Sequence, residues 1–422
     1  MRACLAALAL ILLSPGLYSQ DIHPKDVREI AKNGSTAIPK LQELLSNPDK
    51  EVRREAVKQM VQIGTQKSLD PLIQATRDND PEVQILAANG LVNFYYPGYV
   101  QSGLGGSLKR AGASIKGVFT DTNDQVVDSY VAARPEVVTA LGRLISGGGS
   151  AEARAVAARA VGVLRGAAAA PDLVEATHAK DSDIIYESLI ALQKIRDESA
   201  GPRIEFRLHD LDSKVQIAAI ETVGLLRDMG ALPDLTDALR RAHDVKVKRA
   251  ALTSIAMLPD PASRPLYAQY LLDKDEKLRG AAAEGFARLR DPNDLGMLEK
   301  AWQDEGKTSP RLSLAFAQVT LGRKELSEFS PLQFLIGNLN SAAYSGETLP
   351  FLVELARDEG VRTALYGPLS TGTKDEKIGL ARVLARSGDS QSVAPLQKLS
   401  ADSDPAVAQE GLRALRTLQA RM

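Results

Sequence analysis

The sequence predicts an all-α protein, an α-solenoid in which stacked antiparallel helical hairpins form a superhelix. Three observations support this prediction: a period of 31 or 32 residues, an N-cap residue near the start of each period, and an apolar stripe with helical spacing behind that cap. Fixed periods of this length are typical of repeat proteins. In such proteins each unit packs on its neighbours rather than around one central core.

The period is defined by an apolar anchor residue near the start of each repeat. The step from Val83 to Ala153 is 70 residues, whereas every other step as far as Leu278 is 31 or 32 residues. Val407 is an outlying copy. The anchors are Val52, Val83, Ala153, Ile184, Val215, Val247, Leu278 and Val407. The long step predicts an insertion between two repeats.

A residue that favours helix N-caps stands three positions before each anchor. Its side-chain oxygen accepts a hydrogen bond from the free amides of the first turn, which stabilises a helix by about 1 kcal/mol. Pro81 and Pro405 follow their caps directly, where a missing N–H costs a helix least. The predicted caps are Asp49, Asp80, Ser150, Asp181, Asp212, Asp244, Asp275 and Asp404. Each predicts the start of what we call a capped helix.

Small and large apolar residues share one face of each capped helix. The side chain four positions after the anchor is small, as in Ala56, and those eight and eleven positions after it are larger, as in Met60 and Ile63. Together with the anchor they form one stripe of an α-helix. A turn and a shorter amphipathic helix follow, for example Leu72 to Arg77. One such hairpin cannot bury both its faces, so hairpins must stack.

The start of the capped helices resembles the HEAT-repeat family, in particular its short bacterial form, the phycobilisome-lyase-type HEAT-like repeat. The stretches that carry the resemblance are NPDKEVRREA (47–56), DNDPEVQILA (78–87), LDSKVQIAA (211–219), DKDEKLRGAA (273–282) and DSDPAVAQEG (402–411). The resemblance implies an armadillo-type fold in which the second helix of each hairpin lines the concave surface. It implies little about activity.

The repeats divide the chain into six segments. A signal peptide is predicted first, followed by repeats that an insertion interrupts. The register of the repeats is lost between 325 and 373, but apolar stretches there still predict helices, so we interpret this segment as degenerate repeats. The predicted segments are 1–19 (signal peptide), 20–95 (N-terminal HEAT-like repeats), 96–134 (insertion), 135–324 (HEAT-like repeats), 325–373 (degenerate helical repeats) and 374–422 (C-terminal HEAT-like repeats).

The first twenty residues have the pattern of a secretory signal peptide. Arg2 precedes an uninterrupted apolar run over 3–13, and Pro15 lies just beyond it. The run is too short to span a bilayer. We expect cleavage near Ser19 and export to the periplasm or the medium. Cleavage would also remove Cys4, the single cysteine, so the mature chain would have no thiol for a disulfide or a metal site.

The insertion supplies the candidate partner-binding residues. Tyrosines cluster at its start, next to the turn signal Pro97-Gly98, and basic residues follow within a helix predicted at 107–119. Tyrosines are enriched at protein interfaces, and basic residues suit an acidic surface. The candidates are Tyr95, Tyr96, Tyr99, Lys109, Arg110 and Lys116. The alternative is a plug that covers part of the solenoid, in which the aromatic residues only pack. A second short helix is predicted within 121–133.

Polar residues directly after the anchors allow two interpretations. They are Arg53, Gln84, Arg154, Gln216, Lys248 and Arg279. In one interpretation they line a groove for an acidic partner. In the other they form a ladder in which each side chain binds the capping Asp of the adjacent repeat, as recurs in repeat stacks.

No pattern in the sequence predicts a catalytic, cofactor-binding or metal-ligating residue. His178 and His209 are 31 residues apart and occupy equivalent positions in successive repeats. Stacked helices hold such positions about 10 Å apart, which is too far for two ligands of one ion. Deoxyhypusine hydroxylases are similar in fold but carry several His-Glu pairs, and this sequence has none.

We therefore expect an exported scaffold that binds a protein through its concave face or its insertion, without catalysis. The net charge of -1 argues against a nucleic-acid partner, which requires a basic face. One alternative is an enzyme or cofactor-binding protein of the HEAT-like lyase or metal-dependent type. Another, less favoured, is peripheral membrane contact through 107–119.

Overall fold

The structure, a computed structural model, describes residues 22–100 and 125–422. Within these residues the regular elements are α-helices and short 3₁₀ turns, and no β-strand occurs. The helices form two layers, and the apolar residues between the layers make one continuous core from Val27 to Leu418. The predicted all-α solenoid is confirmed.

The first layer consists of the capped helices and their equivalents in the degenerate repeats. Each packs against the helices before and after it in the same layer, so the layer is unbroken from one end to the other. Its members are Lys50–Ile63, Pro81–Tyr95, Ala151–Val163, Ser182–Ile195, Ser213–Leu225, Val245–Met257, Glu276–Leu289, Thr308–Thr320, Ser345–Leu355, Lys374–Ser387 and Pro405–Gln419.

Shorter helices form the second layer. They are Ile38–Glu43, Leu69–Ala75, Pro135–Gly147, Ala170–Ala176, Leu232–Arg241, Arg264–Tyr270, Leu295–Asp304, Pro331–Gly337, Tyr366–Thr371 and Val393–Leu399. Two further helices, Pro24–Ala31 and Glu359–Ala364, lie outside this regular alternation. After Ile195 the 3₁₀ turns Glu198–Arg203 and Glu205–Arg207 replace the short helix. Pro202 lies within that stretch, and proline interrupts α-helical hydrogen bonding.

Every predicted N-cap accepts a hydrogen bond from the first turn of its helix. Asp80 Oδ1 accepts from the amides of Glu82 and Val83, each at 3.1 Å, and Ser150 Oγ accepts from Ala153 N at 3.1 Å. The other Asp caps make the same contact. Lys307 caps Thr308–Thr320 without a side-chain hydrogen bond, as its chemistry requires.

Residues 125–134 differ from the sequence-based expectation. A short helix was predicted within 121–133, but residues 125–133 form no helix. The reason is tertiary: Val127 N donates to the carbonyl of Val163 at 2.9 Å, and Arg134 N donates to Tyr95 Oη at 3.1 Å. These contacts hold the segment in a non-helical conformation against two capped helices. The prediction is therefore wrong for this part of the insertion.

The described helices also bear on membrane insertion. None of those within 22–100 and 125–422 combines the length and the apolar character needed to cross a bilayer.

Candidate functional site

The capped helices line the inside of the curve. Contacts between repeats that are not adjacent run across this side. Arg288 Nε donates to Glu354 Oε1 at 3.1 Å, past the intervening helix Thr308–Thr320. Likewise Lys194 Nζ, from Ser182–Ile195, donates to the carbonyl of Gln125 at 3.4 Å. We call this side the inner face.

The last capped helix contacts the insertion on the inner face. Arg413, on the last capped helix Pro405–Gln419, forms an ion pair with Asp128 of the insertion. Its Nε lies 2.9 Å from Asp128 Oδ1, and its Nη2 lies 2.5 Å from the same oxygen. Tyr130 Oη donates to Asp128 Oδ2 at 2.9 Å. Burial alone would raise the pKa of Asp128, but the hydrogen bonds from Arg413 and Tyr130 outweigh it and lower that pKa.

The predicted tyrosines lie half-buried where the insertion leaves the solenoid. Tyr95 is the last residue of Pro81–Tyr95, and its ring packs edge-on against Phe94 with 5.0 Å between ring centroids. Tyr96 and Tyr99 pack against the apolar core. All three therefore contribute to packing and keep part of their surface accessible.

Tyr99 also contributes to the inner face. It lies beside Arg159, whose Nε donates to Glu187 Oε2 at 3.0 Å. Burial alone would lower the pKa of Arg159, but its bonds to Glu187 and the proximity of Tyr99 raise it. The basic candidates Lys109, Arg110 and Lys116 lie outside the described residues.

A row of arginines runs along the carboxyl ends of three successive capped helices. Arg165, Arg196 and Arg227 each stand twelve positions after an anchor, and we call them the arginine row. All three have exposed side chains and left-handed backbones, with φ of 50°, 64° and 57°. In the first repeat Gly64 holds this position with φ of 59°. Residues other than glycine rarely adopt such φ values.

The arginine row carries positive charge that is only partly compensated. Although the side chain of Arg196 is exposed to solvent, partial desolvation by the surrounding protein and the charges of Arg165 and Arg227 lower its pKa. Burial and the nearby Arg386 lower the pKa of Arg165, with Asp128 opposing them. Within residues 22–100 and 125–422, no ion pair joins a carboxylate to Arg386 or to any member of the row. Arg386 belongs to Lys374–Ser387 and its charge acts on Arg165, so the C-terminal repeats add a fourth guanidinium to the row.

Two of the polar residues directly after the anchors, Arg53 and Arg279, bind an acidic side chain of the next repeat. Arg53 is buried and binds Asp78 through two bonds, Nε to Oδ2 at 2.8 Å and Nη2 to Oδ1 at 2.9 Å. Arg279 binds Glu305 in the same way, at 2.7 and 3.0 Å. Both side chains thus link adjacent repeats, but the predicted acceptor is wrong: it is the acidic residue two positions before the next cap and not the capping Asp itself.

The capping Asp itself is bound by the residue one position further along. Arg54 Nε donates to Asp80 Oδ1 at 2.9 Å, and Arg249 Nη2 donates to Asp275 Oδ2 at 2.6 Å. At Asp80 the hydrogen bond from Arg54 is the main reason why the pKa of the carboxyl is lowered. These bonds tie adjacent repeats together at the edge where the capped helices begin, opposite the arginine row.

The histidines make separate contacts. The imidazole of His178 stacks on Phe206 with 4.3 Å between ring centroids, and His209 Nε2 lies 3.6 Å from Asp234 Oδ1. In the described part of the chain, no three His, Cys, Asp or Glu side chains are grouped as a metal site would require. A shallow pocket beside His178 is lined by Ser146, Arg154, Glu175, Ala176, His178 and Ala179.

Two features of the inner face escaped the sequence analysis. The arginine row could have been found in the sequence, because each of its members stands twelve positions after an anchor. The pairing of Asp128 with Arg413 could not, since it depends on the curvature summed over the whole stack.

The family model for HEAT repeats matches residues 27–102 and 232–317. Both regions contain HEAT repeats. The first matched region of this chain covers the repeats before the insertion, and the second includes the repeats capped by Asp244 and Asp275. No curated protein matches it significantly.

Three solved structures resemble it at a distance. An engineered protein is 19% identical and aligns over 90% of this chain and 98% of its own, with a TM-score of 0.38. YibA of Escherichia coli is 15% identical over 70% of this chain and 95% of its own, with a TM-score of 0.41. Human deoxyhypusine hydroxylase is 19% identical over 59% of this chain and 96% of its own, with a TM-score of 0.29. Likenesses this distant add nothing to the architecture already described.

Proposed function

We propose that this HEAT-repeat chain is an exported scaffold that binds a protein partner on its inner face and performs no catalysis. The observation that carries the proposal is the continuous layer of capped helices, which presents polar side chains from many repeats to one enclosed side. Because each capped helix packs against its neighbours in this layer, a partner meets these side chains already positioned. A specific interface needs about 800 Å² per partner, an area that a few adjacent repeats can supply.

The half-buried tyrosines support a partner contact at the part of this face where the insertion begins. Tyr99 lies next to the ion pair of Arg159 with Glu187, so an apolar surface and a charged group adjoin. Interfaces combine aromatic anchors with a polar rim in this manner. Tyr96 and Tyr99 are therefore proposed as contact residues, and Tyr95 as their support through its bond to Arg134.

A pull-down with a matched control tests the scaffold function. Intact protein, a Tyr96→Ala/Tyr99→Ala variant and a control with Tyr186→Ala serve as baits against an extracytoplasmic extract. We expect the intact bait and the control to retain the same stoichiometric partner, and the double variant to retain less. Failure of the intact bait to retain any partner at stoichiometric amounts would contradict the scaffold function.

Metal and absorption analysis of the purified protein tests the alternative function. Stoichiometric iron, zinc or a chromophore would indicate an enzyme or cofactor-binding protein instead of a scaffold.

Export is tested separately. Residues 1–30 are fused to an alkaline phosphatase that lacks its own signal and is active only where disulfides form. We expect activity, and a mature N-terminus near Gln20 by sequencing. A fusion with Leu10→Arg and Leu12→Arg interrupts the apolar run and serves as the control. Equal activity of both fusions would remove export from the proposal.

A further inference from the structure

We infer that the arginine row binds an acidic segment of the partner in the polyproline II conformation, with carboxylates at every third residue. The inference rests on the proposed scaffold function and names the chemistry of its contact. Arg165, Arg196 and Arg227 supply one guanidinium per repeat, and Arg386 supplies a fourth from the C-terminal repeats.

The backbone at these positions does not favour arginine. A left-handed φ is easiest for glycine, and a larger residue there costs of order 1 kcal/mol. Gly64 shows that the same turn forms with glycine in this chain. Three successive repeats nevertheless place arginine at this strained position, where its side chain is exposed.

Helix dipoles account for only part of the arrangement. Arg196 Nη1 donates to the carbonyl of Leu225 at 3.3 Å, at the carboxyl end of the next capped helix. A cation is favourable there because that end of a helix is partially negative. However, each guanidinium keeps its positive charge beside the helix dipole. The members of the row are close enough to repel one another. A bound anion would relieve that repulsion.

The spacing selects the conformation of the ligand. Equivalent positions in stacked helices lie about 10 Å apart. In a polyproline II helix every third side chain lies on the same face, about 9 Å further along. Extended β-strands fit less well, because side chains three residues apart point to opposite faces. An acidic residue at every third position would therefore meet successive guanidinium groups, which are well suited to carboxylates.

The test measures binding of two synthetic peptides of identical composition by fluorescence anisotropy at about 150 mM salt, where surface charges are screened beyond roughly 8 Å. One peptide is (Glu-Pro-Pro)₄, and the other carries the same four glutamates in one block. We expect saturable binding of the first and roughly tenfold weaker binding of the second. Equal affinity for both peptides would mean that the row binds polyanions without regard to the spacing of their charges, which would overturn the inference.

Two variants identify the surface. Arg165→Gly/Arg196→Gly/Arg227→Gly removes the charges while favouring the left-handed turns, and it should bind (Glu-Pro-Pro)₄ at least tenfold more weakly. The control Arg77→Gln/Arg240→Gln/Arg241→Gln removes three exposed positive charges elsewhere and should bind within twofold of the parent. Equal losses in both would overturn the inference. Helical circular dichroism and the melting temperature verify folding, and an Arg→Lys version of the row should retain part of the affinity.

The scaffold function and this inference can fail separately. If the intact bait retains its partner but the glycine variant retains it equally well, the arginine row is not the contact and only the inference falls. If millimolar inorganic phosphate displaces the peptide as effectively as free peptide does, the row prefers a phosphate-bearing ligand, which also overturns it. A bait that retains no partner, while the peptide binds as expected, contradicts the scaffold function instead.

Discussion

Asp128 and Arg413 are 285 residues apart in sequence and form a bidentate ion pair that joins the insertion to the last capped helix. The pair joins the last capped helix to the segment that packs on the third capped helix through the bond from Val127 N to Val163 O. On the same side Arg386 lies close enough to Arg165 to lower the pKa of Arg165, so the contact and the charge of the inner face are coupled.

Breaking this pair should change shape more than stability. The side chains of Asp128 and Arg413 are 25% and 49% exposed, and ion pairs of that exposure contribute at most about 1 kcal/mol to the free energy of unfolding. We expect Asp128→Asn to leave the urea midpoint nearly unchanged but to increase the radius of gyration in small-angle X-ray scattering. The charge swap Asp128→Arg/Arg413→Asp should restore the parent value. An unchanged radius of gyration in Asp128→Asn would mean that core packing alone determines the curvature of the solenoid.

The ladder pair of Arg53 with Asp78 should behave in the opposite way. Their side chains are only 9% and 7% exposed, so removing one partner leaves a buried charge without compensation. We expect Arg53→Met to lower the free energy of unfolding by about 3 kcal/mol. Urea denaturation provides the measurement, and Lys40→Met is the matched control, since Lys40 and Glu43 form a pair that is more than half exposed. Similar losses in both variants would contradict a special role for the buried ladder.

The fold could be predicted from the sequence because the signals that specify it, the caps and the anchors, are local and repeated. Caps such as Asp80 and anchors such as Val83 act within one turn of helix, so each repeat specifies itself. The site was predicted less well. Tyr95 was grouped with the candidate contact residues of the insertion, although the predicted segments end the repeats at 95. It ends a capped helix and stands at the same repeat position as Arg165. Its partner Arg134 lies 39 residues away, and no periodic pattern predicts a contact through an irregular segment.

Glu221 should make stability depend on pH near neutrality. Burial raises its pKa to about 7, although its side chain reaches solvent at the inner face. The folded protein therefore keeps the Glu221 proton over a range, from about pH 4.5 to 7, in which the unfolded chain releases it. The stabilisation from this proton is complete at acidic pH and is lost as the pH rises through 7.

The variant Glu221→Gln removes that dependence. Relative to the parent, we expect equal stability at pH 4.5 and a gain of up to about 1 kcal/mol at pH 8, the size being limited because water screens an exposed carboxylate. Urea denaturation at both pH values measures the difference, and Glu328→Gln, in an exposed loop, is the control. A gain of the same size at both pH values would show that the substitution acts through packing and not through ionisation.

A glycine inside a capped helix should prove essential for packing between the two layers. Gly285 lies in Glu276–Leu289, and a Cβ at this position would come within 2.5 Å of Cζ of the buried ring of Tyr267. The ring cannot easily retreat, because it is enclosed by the core and its hydroxyl donates to Ile255 O at 3.1 Å. Gly296, in Leu295–Asp304, has no atom near the equivalent point.

The two glycines allow a matched test in which one substitution has opposite effects. Alanine is favoured over glycine by about 1 kcal/mol in an open helix, so Gly296→Ala should stabilise the protein by up to that amount. Gly285→Ala should instead destabilise it by about 1 to 3 kcal/mol, the usual cost of overpacking. Thermal and urea denaturation measure both. Tyr267→Leu frees space, so the double variant with Gly285→Ala should lose less than the sum of the single variants. Strict additivity would mean that the glycine and the tyrosine do not compete for the same volume.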